Sequence, residues 1–148
     1  MEESGRDRLC REIVDGIPDA VVFADREGII RLWNAGAERL FGYAAGEAVG
    51  KSLDIIIPEP IRKRHWDGYF RVIETGVTRY GTELLAVPGI RKDGTRVSLE
   101  FSVALLRDGA AVGGVAAVLR DVTARWLKDK EARERLQALE ARVKGAAG

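Results

Sequence analysis

Ala20-Val-Val-Phe-Ala-Asp25, Arg26-Glu27-Gly28 and Ile29-Ile-Arg-Leu-Trp33 form two β-rich runs around a glycine turn, which predicts a β-hairpin. The next stretch is helical. Asn34 is suited to cap a short helix over Ala35 to Phe41, which stops at Gly42. Ala44 to Val49 and Leu53 to Ile57 give only short turns, cut off by Gly50 and Pro58, and such a compact irregular stretch suits one wall of a pocket. Pro60 fits the first position of a longer helix running to Thr75 and ending at Gly76. At 100° per residue, Ile61, His65, Gly68, Tyr69 and Val72 share one side, extended by Trp66, Phe70 and Ile73. Lys63, Asp67, Arg71 and Glu74 oppose them, so His65 lies along the apolar side.

Downstream the period changes to two. Arg79 to Pro88, Thr95 to Leu106 and Val112 to Arg120 read as strands, joined by turns at Asp93-Gly94 and Asp108-Gly109. Val97, Leu99, Phe101 and Val103 alternate with Ser98, Glu100 and Ser102, which predicts one buried and one more polar face. The fold class is α+β: a five-stranded antiparallel sheet with helices on one face. Two amphipathic helices flank it. Residues 1–16 carry Leu9 and Ile13 on a helix ending at Gly16; residues 17–122 form the core. Residues 123–148 carry Ala132, Leu136, Leu139 and Val143 at 4-3-4 spacing, the seam of a short coiled coil, and predict a homodimer.

Composition narrows the function. A chain of 148 residues supports one core, and 46% hydrophobic with 32% charged residues is globular. The net charge of +1, with acids and bases interspersed, argues against a nucleic-acid partner. No apolar run approaches the roughly 20 residues that cross a bilayer, and the charged opening lacks the apolar segment of a signal peptide, so a cytoplasmic location without membrane contact is expected. The single Cys10 allows no intrachain disulfide and no multi-cysteine metal site.

The order of elements, with Ile17-Pro-Asp-Ala-Val21, Asp25-Arg-Glu-Gly-Ile-Ile30, Trp33-Asn-Ala-Gly-Ala-Glu-Arg-Leu-Phe-Gly-Tyr43, Gly50-Lys51, Arg91-Lys-Asp-Gly94 and Arg120-Asp-Val-Thr123, resembles a PAS domain over about residues 9 to 125. That resemblance implies a sensory module of kinases, cyclases or transcription regulators. It leaves the ligand open. A narrower resemblance is to the haem PAS domains of rhizobial oxygen-sensing histidine kinases. It rests on Ile57-Pro-Glu-Pro-Ile-Arg-Lys-Arg-His65 and implies His65 as the metal ligand of a b-type haem. A small ligand or haem would then be lined by Ile61, Tyr69 and Val72 from the helix and by Leu85, Leu99 and Val118 from the strands. Those sensors use an arginine to bind oxygen where this chain has Leu85. A leucine cannot donate, so the resemblance implies carbon monoxide, nitric oxide or redox sensing instead.

Other readings stay open. His65 is also explained as a half-buried structural residue, and Trp33, Trp66 and Phe70 as ordinary core. A flavin photosensor would need its reactive cysteine in the helical middle, where Cys10 does not lie. Arg62-Lys63-Arg64 reads as a solvated face or as a partner for an acidic group. Asp121 and Thr123 read as helix caps, as a switch at the root of the last helix, or as both. No nucleophile elbow, phosphate loop or metal cluster accompanies the single histidine, so an enzyme ranks below a sensory module and below a cofactor-free dimerisation scaffold. Either would act through a downstream signalling protein or domain.

Overall fold

The computed structural model describes residues 4–78 and 85–147. Helix α1 (Gly5–Gly16) leads into β1 (Ala20–Asp25) and β2 (Ile30–Trp33). Then come α2 (Ala35–Phe41), α3 (Ala45–Ala48), two 3₁₀ turns (Leu53–Ile56 and Glu59–Ile61) and α4 (Arg62–Thr75). Strands β3 (Leu85–Ile90), β4 (Arg96–Asp108) and β5 (Ala111–Asp121) precede α5 (Thr123–Ala147). The five strands form one antiparallel sheet in the order β2-β1-β5-β4-β3, so the first and last parts of the core meet at its centre.

Local chemistry sets the turns. Asp25 Oδ1 accepts from the backbone N–H groups of Glu27 and Ile29, both at 3.0 Å, and Gly28 takes a left-handed φ of 79° that closes the hairpin. Ile29 falls outside β2 and bridges to Ser52, because the glycine turn and a register shift at Phe23/Ala24 displace the strand start by one residue. The two Asp-Gly turns also form, with Gly94 and Gly109 left-handed.

Side-chain alternation then builds the core. Ala20, Val22 and Ala24 are buried and stand opposite Leu119, Ala117 and Val115, while Val97 and Leu99 extend the same face through β4. Phe41 and Ile30 are fully buried, and Tyr69 and Ile73 of α4 belong to the same buried cluster. Phe101 packs partly buried on this face, as its alternation with Ser102 predicts. Asn34 is the buried polar hub. Its Oδ1 accepts from the N–H groups of Val21 at 2.8 Å and Ala37 at 2.9 Å. Its Nδ2 donates to the carbonyls of Val14 at 2.7 Å and Asp19 at 3.1 Å.

Several boundaries differ from the sequence expectation. Pro60 lies within the 3₁₀ turn Glu59–Ile61, and α4 begins at Arg62, where Arg62 Nε donates to the Ile57 carbonyl at 3.0 Å. The strand expected over Arg79 to Pro88 has its first part, 79–84, outside the described residues, and β3 runs on to Ile90. Strands β4 and β5 are longer than expected, meeting at a tight turn in which Asp108 pairs with Ala111. Val118, expected to line the pocket, is 41% exposed on the outer face, where it pairs with Val21 and Ser102. The antiparallel register puts its neighbour Leu119 inward, and side chains alternate, so Val118 must point out.

Candidate functional site

The candidate site is the aromatic cluster of α4 where it crosses the β1–β2 hairpin. The i, i+4 spacing of His65 and Tyr69 stacks their side chains on one helical face, with ring centroids 5.8 Å apart. Trp66 packs edge-on to His65 at 4.7 Å and stacks on Phe70 at 5.5 Å. Glycine at position 28 lets this happen, because a side chain there would strike the Trp66 ring. The indole Nε1 donates to Asp54 Oδ1 at 2.7 Å, and the Tyr69 hydroxyl donates to the Asp25 carbonyl at 2.5 Å. Burial, reinforced by the carboxylates of Asp25 and Glu27, pushes the Tyr69 phenol well above its ordinary value, so it stays a donor at any physiological pH.

His65 is the exception to this satisfied network. Its Nδ1 is buried and has no hydrogen-bond partner among the described residues. Burial lowers its pKa below the ordinary 6.5, partly offset by the Asp54 carboxylate, so the imidazole is neutral near pH 7. An unfolded chain therefore takes up this proton at higher pH than the folded one. The stability gained is fully present above about 6.5 and is lost as pH falls below it. Carboxylates, with ordinary values near 4, keep their charge until lower pH. The urea midpoint should thus fall between pH 7 and 5, and His65→Gln should flatten that slope; an unchanged slope in the variant would assign it elsewhere.

A b-type haem requires one neutral imidazole nitrogen and apolar walls. The chain's residues fit the first requirement through His65. For the second, Leu99 is buried at 3% exposure, Tyr69 is buried, and Ile61 and Val72 are half-buried. The rings of Trp66 and Tyr69 stand against the imidazole, so a macrocycle on His65 needs at least one of them to move. Leu85 is placed only by its backbone, which pairs with Phe101. Val118 lies on the far side of the sheet. The basic run is divided, with Arg62 turned to Asp54 at 4.0 Å, Lys63 to Asp67 at 3.7 Å, and Arg64 on an open groove.

A second cluster gathers at the root of α5. Asp121 Oδ1 accepts from the Thr123 N–H at 2.9 Å, and Thr123 Oγ1 accepts from the Ser98 N–H at 3.0 Å. Asp121 also pairs with Arg91 at 2.7 Å, Arg120 with Asp19 at 2.9 Å, and Arg125 with Glu100. Asp121 thus accepts from the first N–H of α5, whereas the Thr123 hydroxyl is turned to Ser98 of β4 and to Asp121 rather than to a helix N–H. Sequence reasoning missed the partners Asp54 and Asp19; an indole N–H half-buried on α4 needed an acceptor, and that was the available signal for Asp54.

Comparison with known proteins agrees with the architecture. The PAS fold matches residues 14–126. The chain is 34% identical over 145 residues to "Sensor protein FixL" of Bradyrhizobium diazoefficiens, covering 93% of this chain and 26% of that protein. It is 31% identical over 121 residues to the cell-division control histidine kinase PdhS of Brucella ovis, covering 82% of this chain and 11% of that protein. The chain thus spans about a quarter or less of these relatives' lengths. Among solved structures, a PAS domain from Colwellia psychrerythraea superposes with a TM-score of 0.70 at 22% identity, covering 79% of this chain and 97% of that one. Sheet order, family match and kinase relatives agree, and the chain belongs to the PAS fold family, with a narrower likeness to the FixL sensor.

Proposed function

We propose that this PAS domain is a non-catalytic cytoplasmic sensory module, working as a homodimer, in which a small ligand held between α4 and the sheet alters the pose of α5. A b-type haem on His65 is the ligand the residues support best. The observation that carries the reading is the neutral His65 imidazole, with a buried Nδ1 that has no partner among the described residues while its ring neighbours Trp66 and Tyr69 are hydrogen-bonded. The likeness to FixL supports the same choice. Haem would supply gas or redox sensitivity, while the chain's own residues hold the imidazole neutral and wall the site with Leu99, Ile61, Val72 and Tyr69. Trp66 and Tyr69 link the ligand side of α4 to the β1–β2 hairpin, and β1 lies beside β5, which leads into α5. The relatives' names point to a histidine kinase as the downstream partner.

A cofactor-free scaffold is the second reading, favoured by the rings of Trp66 and Tyr69 standing where a ligand would lie. Titration of the purified chain with hemin separates the two. The haem reading expects a sharp Soret band that His65→Ala abolishes while the far-ultraviolet circular dichroism of the fold is kept. A well-folded chain that takes up no hemin, or a band that survives in His65→Ala, overturns it.

A further inference from the structure

A cleft of about 220 Å³ opens where the chain enters and leaves the core, walled by the start of β1, one face of α2, the turn after β3 and the end of β5. It shares no residue with the His65 cluster. Glycine at position 36 brings α2 this close, since a Cβ there would lie 2.1 Å from the Asp19 carbonyl oxygen. Its i+3 and i+4 neighbours, Arg39 and Leu40, line the cleft on the same side of the helix.

Three guanidinium groups and two carboxylates line the cleft, and both carboxylates are already engaged. Arg120 grips Asp19 through Nε and Nη2 at 3.2 and 2.9 Å, and Arg91 Nη2 donates to Asp121 at 2.7 Å. Arg39 is exposed and has no ion-pair partner among the described residues. Arg91 keeps a buried Nε without an acceptor among the described residues, and an unmet buried donor is costly. One positive charge is thus left over, next to an unfilled donor. Much of the remaining lining is apolar, with Pro18, Leu40 and the buried Leu119.

We propose that this cleft binds a small organic carboxylate, its anionic end met by Arg39 and Arg91 and its apolar body laid against Pro18, Leu40 and Leu119. A single negative charge balances the one left over, whereas a phosphate dianion overshoots it and leaves the apolar wall bare. The volume lies below the roughly 300 Å³ of a drug-sized site, so the body is small, of the order of a single ring. Such a ligand joins α2 to the end of β5, on which α5 is mounted. It gives the domain an input at its exit helix that does not rest on the haem reading.

Titration of the full chain with sodium benzoate at constant ionic strength tests this, followed through the proton–nitrogen signals of the arginine Nε–H groups. The Arg39 and Arg91 signals should shift and saturate in the millimolar range, and the thermal midpoint should rise with occupancy. Arg39→Ala should weaken binding about ten-fold through loss of one charge-assisted contact. Arg26→Ala, the same change of charge in the exposed β1–β2 turn, should leave the affinity as it was. Circular dichroism checks that both variants keep the fold. Absent or unsaturating shifts overturn the proposal, as does equal weakening by the two variants, which marks attraction by net charge alone. Inorganic phosphate binding as tightly as benzoate also overturns it, because the apolar wall then contributes nothing.

Discussion

Leu99→Asp should cost the fold roughly 3 to 5 kcal/mol, read as a loss of that size in urea unfolding free energy. Leu99 is 3% exposed in the middle of the inner face, and its side chain rests over Gly89 so closely that a methyl group there would collide with it. A carboxylate at 99 would have no water on this face. It would also stand opposite Asp121 on the neighbouring strand, adding like-charge repulsion. Ser98→Asp, one residue away, should cost no more than about 1 kcal/mol, because its side chain belongs to the outer face. Equal damage from the two changes would mean that β4 is paired one residue out of register.

Asn34→Ala should be nearly as damaging, at roughly 3 kcal/mol or more. Alanine removes both halves of the amide, stranding the N–H groups of Val21 and Ala37 and the carbonyls of Val14 and Asp19. The α2 cap is lost with them. Asn34→Asp isolates the donor half, since it keeps an acceptor for the two N–H groups but turns a negative charge toward two carbonyls. If the donor half matters, the aspartate variant also loses stability, and its α1 is cut by protease at lower concentrations, because Nδ2 holds the Val14 carbonyl. A variant as stable as the parent would deny Asn34 its place as the hub.

Much of this fold was legible because its signals are local. Asp25 to Gly28, Asp93-Gly94 and Asp108-Gly109 are turns whose chemistry lies within a few residues, and the alternation from Val97 to Val103 carries its own phase. Val118 was not legible for the opposite reason. Val115-Ala-Ala-Val-Leu119 is apolar on both faces, so its phase is set only by pairing with Ala20 to Ala24, almost a hundred residues earlier. The same holds for the site. Helical periodicity placed His65, Tyr69 and Val72 together on one side of α4, whereas the Trp66–Asp54 bond and the ion pairs at the base of α5 join side chains that only the closed fold brings near. Pro60 misled because a proline suits the first turn of a 3₁₀ segment as well as that of an α-helix.

The Asp19–Arg120 pair joins the residue just before β1 to one at the end of β5, and these strands lie antiparallel with Ala20 opposite Leu119. The polypeptide therefore enters and leaves the core at the same corner. Tension applied between α1 and α5 would load this corner like the two tabs of a zipper, meeting first the ion pair and then the ladder bonds of β1 and β5 one after another, rather than shearing them all together. Such a geometry yields at low force and in small steps. A modest pull or twist from either flanking helix can part the strands locally at Ala20 and Leu119 while the rest of the sheet holds its shape.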